Sequence, residues 1–178
     1  MATEKALLGG GCFWCLDAVF RKVRGVHAVI SGYAGGGRPQ PSYEQICTGS
    51  TGHAEVIEIT FDPETITFRE LLEIFFAIHD PTTLNRQGHD VGTQYRSVIF
   101  YLNKEQESIA RDMTRALESA RTFAAPIVTG LSAAPAFYPA EAYHQNYFAL
   151  HPEQGYCQMV INPKLAKFRK TFAHKTTD

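Results

Sequence analysis

Segments with the periodicity of β-strands alternate along this chain with segments that have the periodicity of α-helices, and this alternation constrains the fold more than any other feature. Residues 54–61 alternate along a β-branched run that ends at an Asp-Pro turn, as strands do. Residues 68–76 instead place apolar side chains three and four positions apart, and Thr67 with Glu70 forms a capping-box pair at the start of this segment. Because neither kind of segment can bury its apolar side alone, the helices are expected to pack on a sheet.

The segments follow the order β-α-β-β-α-β-α-β without a linker or an internal repeat. This order predicts an α+β fold, a two-layer sandwich of a mixed β-sheet with flanking helices and a ferredoxin-like core, in a single domain over residues 1–178. A loop rich in glycine and proline is predicted from Ala34 to about Gln45. After Pro152 basic residues stand among few apolar ones, which predicts a long C-terminal coil that is mobile from about residue 152.

Charge and hydropathy exclude several classes of function. The chain has 17 Lys and Arg against 18 Asp and Glu, with an isoelectric point near 6.6, so it lacks the basic surface that nucleic-acid binding requires. Its apolar runs are far shorter than the roughly 20 residues that span a bilayer, and the residues after Met1 do not have the layout of a signal peptide. We therefore expect a cytoplasmic protein without a nucleic-acid or membrane partner, and take it to be a monomer.

Cys12 stands out among the cysteines because it follows three glycines and opens a helical segment. The unpaired N–H groups of a helix N-terminus favour a thiolate and lower a cysteine pKa, so Cys12 is the predicted nucleophile. The Cys12-x-x-Cys15 spacing is also that of a dithiol redox pair, which makes a dithiol–disulfide exchange or thiol-sensing protein the alternative function. A zinc site would need a second pair, but Cys47, His53 and Cys157 are isolated, so neither a metal nor another cofactor is predicted.

Glu55 is the candidate proton donor. By strand alternation its side chain shares a face with Ile57, Ile59 and Phe61. If that face meets the core, burial keeps the carboxyl protonated near neutral pH, as a general acid requires. If the strand instead ends at the rim of the sheet, Glu55 is solvated and ionised.

Five short motifs occur in one order between about residues 5 and 160: Gly11-Cys12-Phe13-Trp14, Gly32-Tyr33-Ala34-Gly35-Gly36, Gly52-His53-Ala54-Glu55, Gly92-Thr93-Gln94-Tyr95-Arg96-Ser97 and Tyr143-His144-Gln145. Together they resemble the A-type peptide methionine sulfoxide reductases. The resemblance implies a thiol-dependent reduction of methionine S-sulfoxide, free or within proteins, to methionine. It also implies thioredoxin as the reductant.

Carried over to this chain, the resemblance implies that Cys12 is the nucleophile and Glu55 the acid, and that Tyr33 and Tyr95 bind the sulfoxide oxygen. The residue types suit this chemistry. A sulfoxide sulfur is a poor electrophile until its oxygen is protonated or strongly hydrogen-bonded, so a thiolate needs an acid and oxygen donors on the far side of the substrate.

The resemblance also implies a binding pocket. It assigns Phe13 and Trp14 to the pocket for the substrate methyl group, and Asp90 to the mouth of the site through hydrogen bonds. His89 stands where the family more often has asparagine, which leaves its role open. The His144-Gln145 pair is interpreted as structural.

Oxygen transfer would leave a sulfenic acid on Cys12, and a second thiol would have to condense with it to give an intramolecular disulfide. The tail motif Gly155-Tyr156-Cys157 resembles that of a subgroup of the family and implies that Cys157 is the resolving cysteine. Cys15, which stands where other members have glycine, is the second candidate, either in a bridge to Cys12 or as a relay. Cys47 is interpreted as buried or idle.

Overall fold

The strand predicted over residues 54–61 and the helix predicted over residues 68–76 are present in a computed structural model that describes residues 2–177. The strands are β1 (Glu4–Gly9), β2 (Val26–Ala34), β3 (Ala54–Phe61), β4 (Arg86–Gln87), β5 (Asp90–Val91), β6 (Val98–Tyr101), β7 (Gly130–Ala133) and β8 (Phe137–Pro139). The α-helices are α1 (Phe13–Phe20), α2 (Tyr43–Cys47), α3 (Phe68–Ile78), α4 (Lys104–Ser119), α5 (Tyr147–Leu150) and α6 (Asn162–Thr171). Within residues 2–177, none of the helices combines the length and the apolar character needed to cross a bilayer.

Six of the strands form one sheet in the order β7-β6-β1-β3-β2-β8, and β4 pairs with β5 in a separate hairpin. Neighbouring strands of the sheet are antiparallel except β6 and β7, which run parallel, so the predicted mixed sheet is confirmed. The register of β2 and β3 places Tyr33 opposite Glu55. The α+β class with flanking helices is therefore confirmed, and the more specific ferredoxin-like core stays a prediction.

The main core lies between one face of the sheet and helices α1, α3 and α6. Ile57 and Ile59 of β3 are fully buried there with Phe20 of α1 and Phe75 of α3. Each such side chain contributes about 2 kcal/mol by leaving water. A smaller cluster that includes Val56 covers the opposite face, so β3 is buried on both sides near Glu55, its second residue.

The C-terminal segment is helical, so the predicted long coil is wrong. A π-helical turn, Cys157–Ile161, leads directly into α6, which has a proline in its first turn. Ile161, Leu165 and Phe168 follow each other at helical spacing and are buried, while most basic residues of α6 are exposed. These apolar residues already have helical spacing in the sequence, but the basic residues among them favoured the prediction of a coil. Mobility from about residue 152 stays a prediction.

Helix α2 lies inside the segment predicted as a loop up to about Gln45. Ser42 accepts a hydrogen bond from the Gln45 backbone N–H, and the Gln45 side chain accepts one from the Ser42 N–H, which is a complete capping box. This Ser-x-x-Gln pattern is the sequence signal that would have predicted the helix. This helix matters for the candidate active site, because its first residue is Tyr43.

Candidate active site

Cys12 lies where β1 has ended and α1 begins. Gly11 has a φ of +98°, which glycine adopts without strain, and a Cβ there would lie 2.7 Å from the Gln87 side chain. Cys12 is the N-cap residue of α1, and its carbonyl accepts the Cys15 N–H at 3.1 Å. The predicted position of Cys12 at a helix N-terminus is confirmed, and the residue is only 8% exposed.

Glu55 is 1% exposed, so the face it shares with Ile57 does meet the core, and the buried interpretation is confirmed. Its Oε1 accepts the Phe13 N–H at 3.1 Å, while Oε2 is buried with no hydrogen-bond partner among the described residues. Burial, with the charges of Asp90 and Cys15, raises the pKa of Glu55 to about 8. The carboxyl is therefore protonated at neutral pH, and Oε2 is free to present the proton to a ligand.

The Cys12 and Cys15 thiols are hydrogen-bonded to each other, and their acidities differ. Burial raises the pKa of Cys12 well above its usual value, and the hydrogen bond to Cys15 and the charge of Glu55 add to this. The same hydrogen bond lowers the pKa of Cys15 despite its burial. The prediction that the helix N-terminus lowers the pKa of Cys12 is thus wrong, because desolvation outweighs the effect of the helix end.

The hydroxyl of Tyr33 is occupied by a hydrogen bond to another side chain. Its side chain is fully buried, and its hydroxyl donates to Oε1 of Glu141 at 3.0 Å. Burial and the hydrogen bond to Glu141 raise the pKa of Tyr33 far above its usual value. The hydroxyl hydrogen is already engaged by Glu141, which speaks against the oxygen-binding role predicted for Tyr33.

Tyr43 is the tyrosine that the sequence interpretation missed. It is half-buried, and its pKa is raised by burial, by the charge of Glu55 and by a hydrogen bond to the thiol of Cys47, which is exposed at the end of α2. Tyr95, at the end of a short 3-10 turn, is also half-buried, and its pKa is raised by burial and by the charges of Glu55 and Cys12. Both phenols are therefore protonated and within electrostatic reach of the acid. Glu141 also holds Tyr43 in place, since its Oε2 accepts the Tyr43 N–H at 2.9 Å.

An aromatic wall stands beside Cys12. The Trp14 ring stacks on Tyr147 at a centroid distance of 3.8 Å and meets the edge of Tyr156 at 5.9 Å. Its Nε1 donates to Nδ1 of His144 at 3.0 Å, so the His144 hydrogen is on Nε2, which is buried without a partner among the described residues. Phe13 has no exposed surface and lies behind this wall, 5.1 Å from the His144 ring. Tyr147 and Tyr156 were not assigned to the site from the sequence.

The β4–β5 hairpin is tied to the C-terminal segment above the thiols. Oδ2 of Asp90 accepts the Tyr156 hydroxyl at 2.6 Å, and the same hydroxyl lies 3.6 Å from Sγ of Cys15. Asp90 thus lies near the site, as predicted, but its direct partner is Tyr156. His89 is exposed at the turn of the hairpin.

The two remaining cysteines differ in burial. Cys157 has no exposed surface, and burial together with the charge of Cys15 raises its pKa. Cys47 is exposed at the end of α2, so the interpretation of it as buried is wrong. All four thiols are free. Within residues 2–177 no three His, Cys, Asp or Glu side chains come together as a metal site.

Known proteins resemble this chain over nearly its whole length. The family model for "Peptide methionine sulfoxide reductase" matches residues 4–176. The peptide methionine sulfoxide reductase MsrA of Polynucleobacter asymbioticus is 61% identical over 95% of this chain and 89% of its own. The structure of Mxr1 from Saccharomyces cerevisiae in reduced form has a TM-score of 0.81 and 34% identity, and the match covers 87% of this chain and 89% of that chain. Mxr1 in complex with Trx2 has a TM-score of 0.57 and 25% identity, over 82% of this chain and 84% of that chain.

Proposed function

This chain belongs to the peptide methionine sulfoxide reductase family, and on that premise we propose that it reduces methionine S-sulfoxide, free or in proteins, by oxygen transfer to Cys12 with Glu55 as the acid. The enzyme is an oxidoreductase, a methionine sulfoxide reductase. The observation that carries the mechanism is the buried, protonated carboxyl of Glu55, which has one unpartnered oxygen and lies against the Cys12 turn.

Oxygen transfer needs an acid on the sulfoxide oxygen while a sulfur nucleophile attacks. The S–O bond of the substrate breaks, an S–O bond to Cys12 forms, and the products are methionine and a sulfenic acid. Glu55 gives its proton to the oxygen and regains one from the Cys12 thiol, so the step consumes no external proton. The high pKa of the Cys12 thiol is consistent with this exchange, because the thiol still holds a proton when substrate arrives.

Tyr43 and Tyr95 are the proposed donors to the sulfoxide oxygen. Both hydroxyls lie close enough to Glu55 for its charge to act on them, and both side chains are only half-buried. Such donors stabilise the negative charge that develops on oxygen as the bond to sulfur weakens. The substrate methyl group is placed against Trp14, with Phe13 behind it.

Regeneration requires a second thiol and a reductant. We place the resolving role on Cys157, with Cys15 as the second candidate, and thioredoxin as the reductant. The solved complex of Mxr1 with Trx2 supports such a partner. Cys157 is buried, so the segment from about residue 152 has to open before a protein dithiol reaches it. A cytoplasmic location and a monomeric state remain predictions from the sequence.

A dithiol–disulfide exchanger is the second candidate, because Cys12 and Cys15 are hydrogen-bonded in a Cys-x-x-Cys turn. Both residues are buried, which is unfavourable for attack on a disulfide of another protein. Insulin-disulfide reduction separates the two functions. We expect almost no activity there, and efficient turnover of insulin would favour the exchanger.

The decisive test is chiral chromatography of a racemic methionine sulfoxide peptide after incubation with the protein and a small dithiol. We expect the S form alone to disappear, and Cys12→Ser to abolish the reaction. Cys47→Ser is the matched control: it removes an exposed thiol but leaves a hydroxyl that can keep the hydrogen bond to Tyr43, so it should retain the activity. Persistence of both forms with the unaltered protein, or substantial activity of Cys12→Ser, would reject the proposal.

A further inference from the structure

A buried histidine that the proposed mechanism does not use lies at the end of α3. His79 is the C-cap residue of this helix and is only 6% exposed. Its ring is tilted against that of Phe75 at a centroid distance of 4.1 Å. Burial lowers the pKa of His79 to about 4, so the ring is neutral at neutral pH, with one N–H donor and one nitrogen that accepts.

The partners of the two ring nitrogens determine which of them carries the hydrogen. Nδ1 of His79 faces the carbonyl oxygen of Phe75, which can only accept, so the hydrogen is on Nδ1. Nε2 is therefore the acceptor, and the Ser97 hydroxyl donates to it at 2.8 Å. Because this uses the only hydroxyl hydrogen of Ser97, the Thr129 hydroxyl donates to Ser97 at 2.7 Å. The hydrogen bonds thus run in one direction, from Thr129 through Ser97 to His79.

The His79 ring packs on the turn that leads to the nucleophile. A Cβ placed on Gly10 would lie 3.0 Å from Cδ2 of His79 and 3.0 Å from the Phe75 ring, so the Gly10 backbone lies directly against both rings. Gly10 is two residues before Cys12. The ring therefore limits how far the start of this turn can move towards α3.

The same ring holds the segment that carries one of the proposed oxygen donors. Ser97 follows Tyr95 by two residues, and its carbonyl accepts the Gly130 N–H at 3.0 Å. The charges of Glu55 and Cys12 both act on the Tyr95 hydroxyl. One buried side chain thus contacts the turn before the nucleophile and the segment after the donor.

We propose that His79 is a positioning residue of this site: it holds the Gly10 turn by contact and the Tyr95 segment through Ser97, and so sets the separation of the Cys12 thiol from the Tyr95 hydroxyl. This inference rests on the function proposed above and adds no step to its chemistry. Attack at sulfur and hydrogen bonding at oxygen have to occur together, and a misplacement of about 1 Å costs about 100-fold in rate.

Ser97→Ala tests this inference, with Thr129→Val as the matched control. Each substitution removes one hydroxyl from the same series of hydrogen bonds, but only Ser97→Ala breaks the bond to His79. The quantity to measure is the rate at which the reduced protein forms its first methionine, without external reductant, at increasing concentrations of a sulfoxide peptide. Ser97→Ala should lower the limiting rate by about 10-fold to 100-fold and change the half-saturating concentration by less than about twofold. Thr129→Val should change neither value by more than about twofold.

His79→Asn is a second test of the same link. Asparagine keeps an amide N–H for the Phe75 carbonyl but is too short to reach Ser97, so it should slow the first turnover as Ser97→Ala does. Because both substitutions break one bond, the double variant should be no slower than the slower single variant. Urea denaturation checks that every variant is folded and that Ser97→Ala and Thr129→Val lose comparable stability.

Three results would overturn the positioning role. They are equal first-turnover rates in Ser97→Ala and Thr129→Val, a change confined to the half-saturating concentration, and losses of the two single variants that multiply in the double variant. If the unaltered protein forms no methionine at all, the proposed function itself fails, and this outcome is distinct from the other three.

Discussion

Replacing Glu55 with Gln is expected to remove a loss of stability that the unaltered protein suffers as pH rises, although it also removes the acid. The pKa of the buried carboxyl is raised from 4.5 to about 8, so the folded state binds the proton more tightly than the unfolded state. The unfolding free energy contributed by Glu55 is therefore highest below pH 4.5 and falls as pH rises towards 8. From 4.5 to pH 7, at about 1.4 kcal/mol per pH unit, the loss is about 3 kcal/mol.

A glutamine has no such loss, because it does not ionise. Its Oε1 can still accept the Phe13 N–H, and its amide nitrogen takes the place of the unpartnered Oε2 at a cost of about 1 to 3 kcal/mol that does not depend on pH. The quantity to measure is therefore the change with pH in the difference between the Glu55→Gln variant and the unaltered protein. This difference in unfolding free energy should move by about 3 kcal/mol in favour of the variant between pH 4.5 and 7.

Urea denaturation of both proteins at the two pH values, with thiols kept reduced, measures this difference. Glu58→Gln is the matched control: it lies on the same strand with its side chain on the other face, half-buried, 3.4 Å from Lys5. Its effect should stay within about 1 kcal/mol at both pH values. A Glu55→Gln difference that is the same at pH 4.5 and 7 would refute the buried, protonated acid. In the same variant kcat should fall by about 100-fold or more, with a smaller change in KM.

Three further predictions concern the tyrosines, the aromatic wall and the acid of the site. Tyr43→Phe should lower kcat for a sulfoxide peptide by about 100-fold. Tyr33→Phe loses only its hydrogen bond to Glu141, so it should lower the unfolding free energy measured in urea by about 1 kcal/mol with little change in kcat. The opposite pattern would restore the role first predicted for Tyr33. Asp17 accepts the backbone N–H of Asn146 at 2.7 Å, next to Tyr147, whose ring stacks on Trp14 in the proposed methyl pocket. Asp17→Asn should therefore raise KM more than it lowers kcat. Steady-state kinetics that show only a fall in kcat would speak against this positioning role. Because Glu55 ionises as pH rises through about 8, kcat/KM of the unaltered protein should decline above that pH, and a profile that keeps rising to pH 9 would exclude Glu55 as the acid.

Much of this protein follows from local sequence patterns. The alternation along β3 puts Glu55 on the same face as Ile57, because a strand turns successive side chains to opposite sides, and the structure shows that this face meets the core. The glycines before Cys12 and the apolar period after it place that thiol at a helix start. The motif order led to the family that the known relatives confirm.

Other features depend on residues that are distant in the chain. The choice between Tyr33 and Tyr43 is made by Glu141, about 100 positions away, which engages one hydroxyl and fixes the backbone of the other tyrosine. The aromatic wall likewise joins Trp14 to Tyr147 across the fold.

The acidity of the thiols shows the same division. A helix N-terminus, which can be read from the sequence, lowers a cysteine pKa, but the burial that raises the pKa of Cys12 exists only once β3, the hairpin and the C-terminal segment close around it. The sequence by itself determined which residue types are present and which strand or helix carries each one. Only the tertiary structure decided which phenols lie within electrostatic reach of the acid and how deeply each thiol is buried, because distances and desolvation are set by packing between segments that the chain order does not bring together.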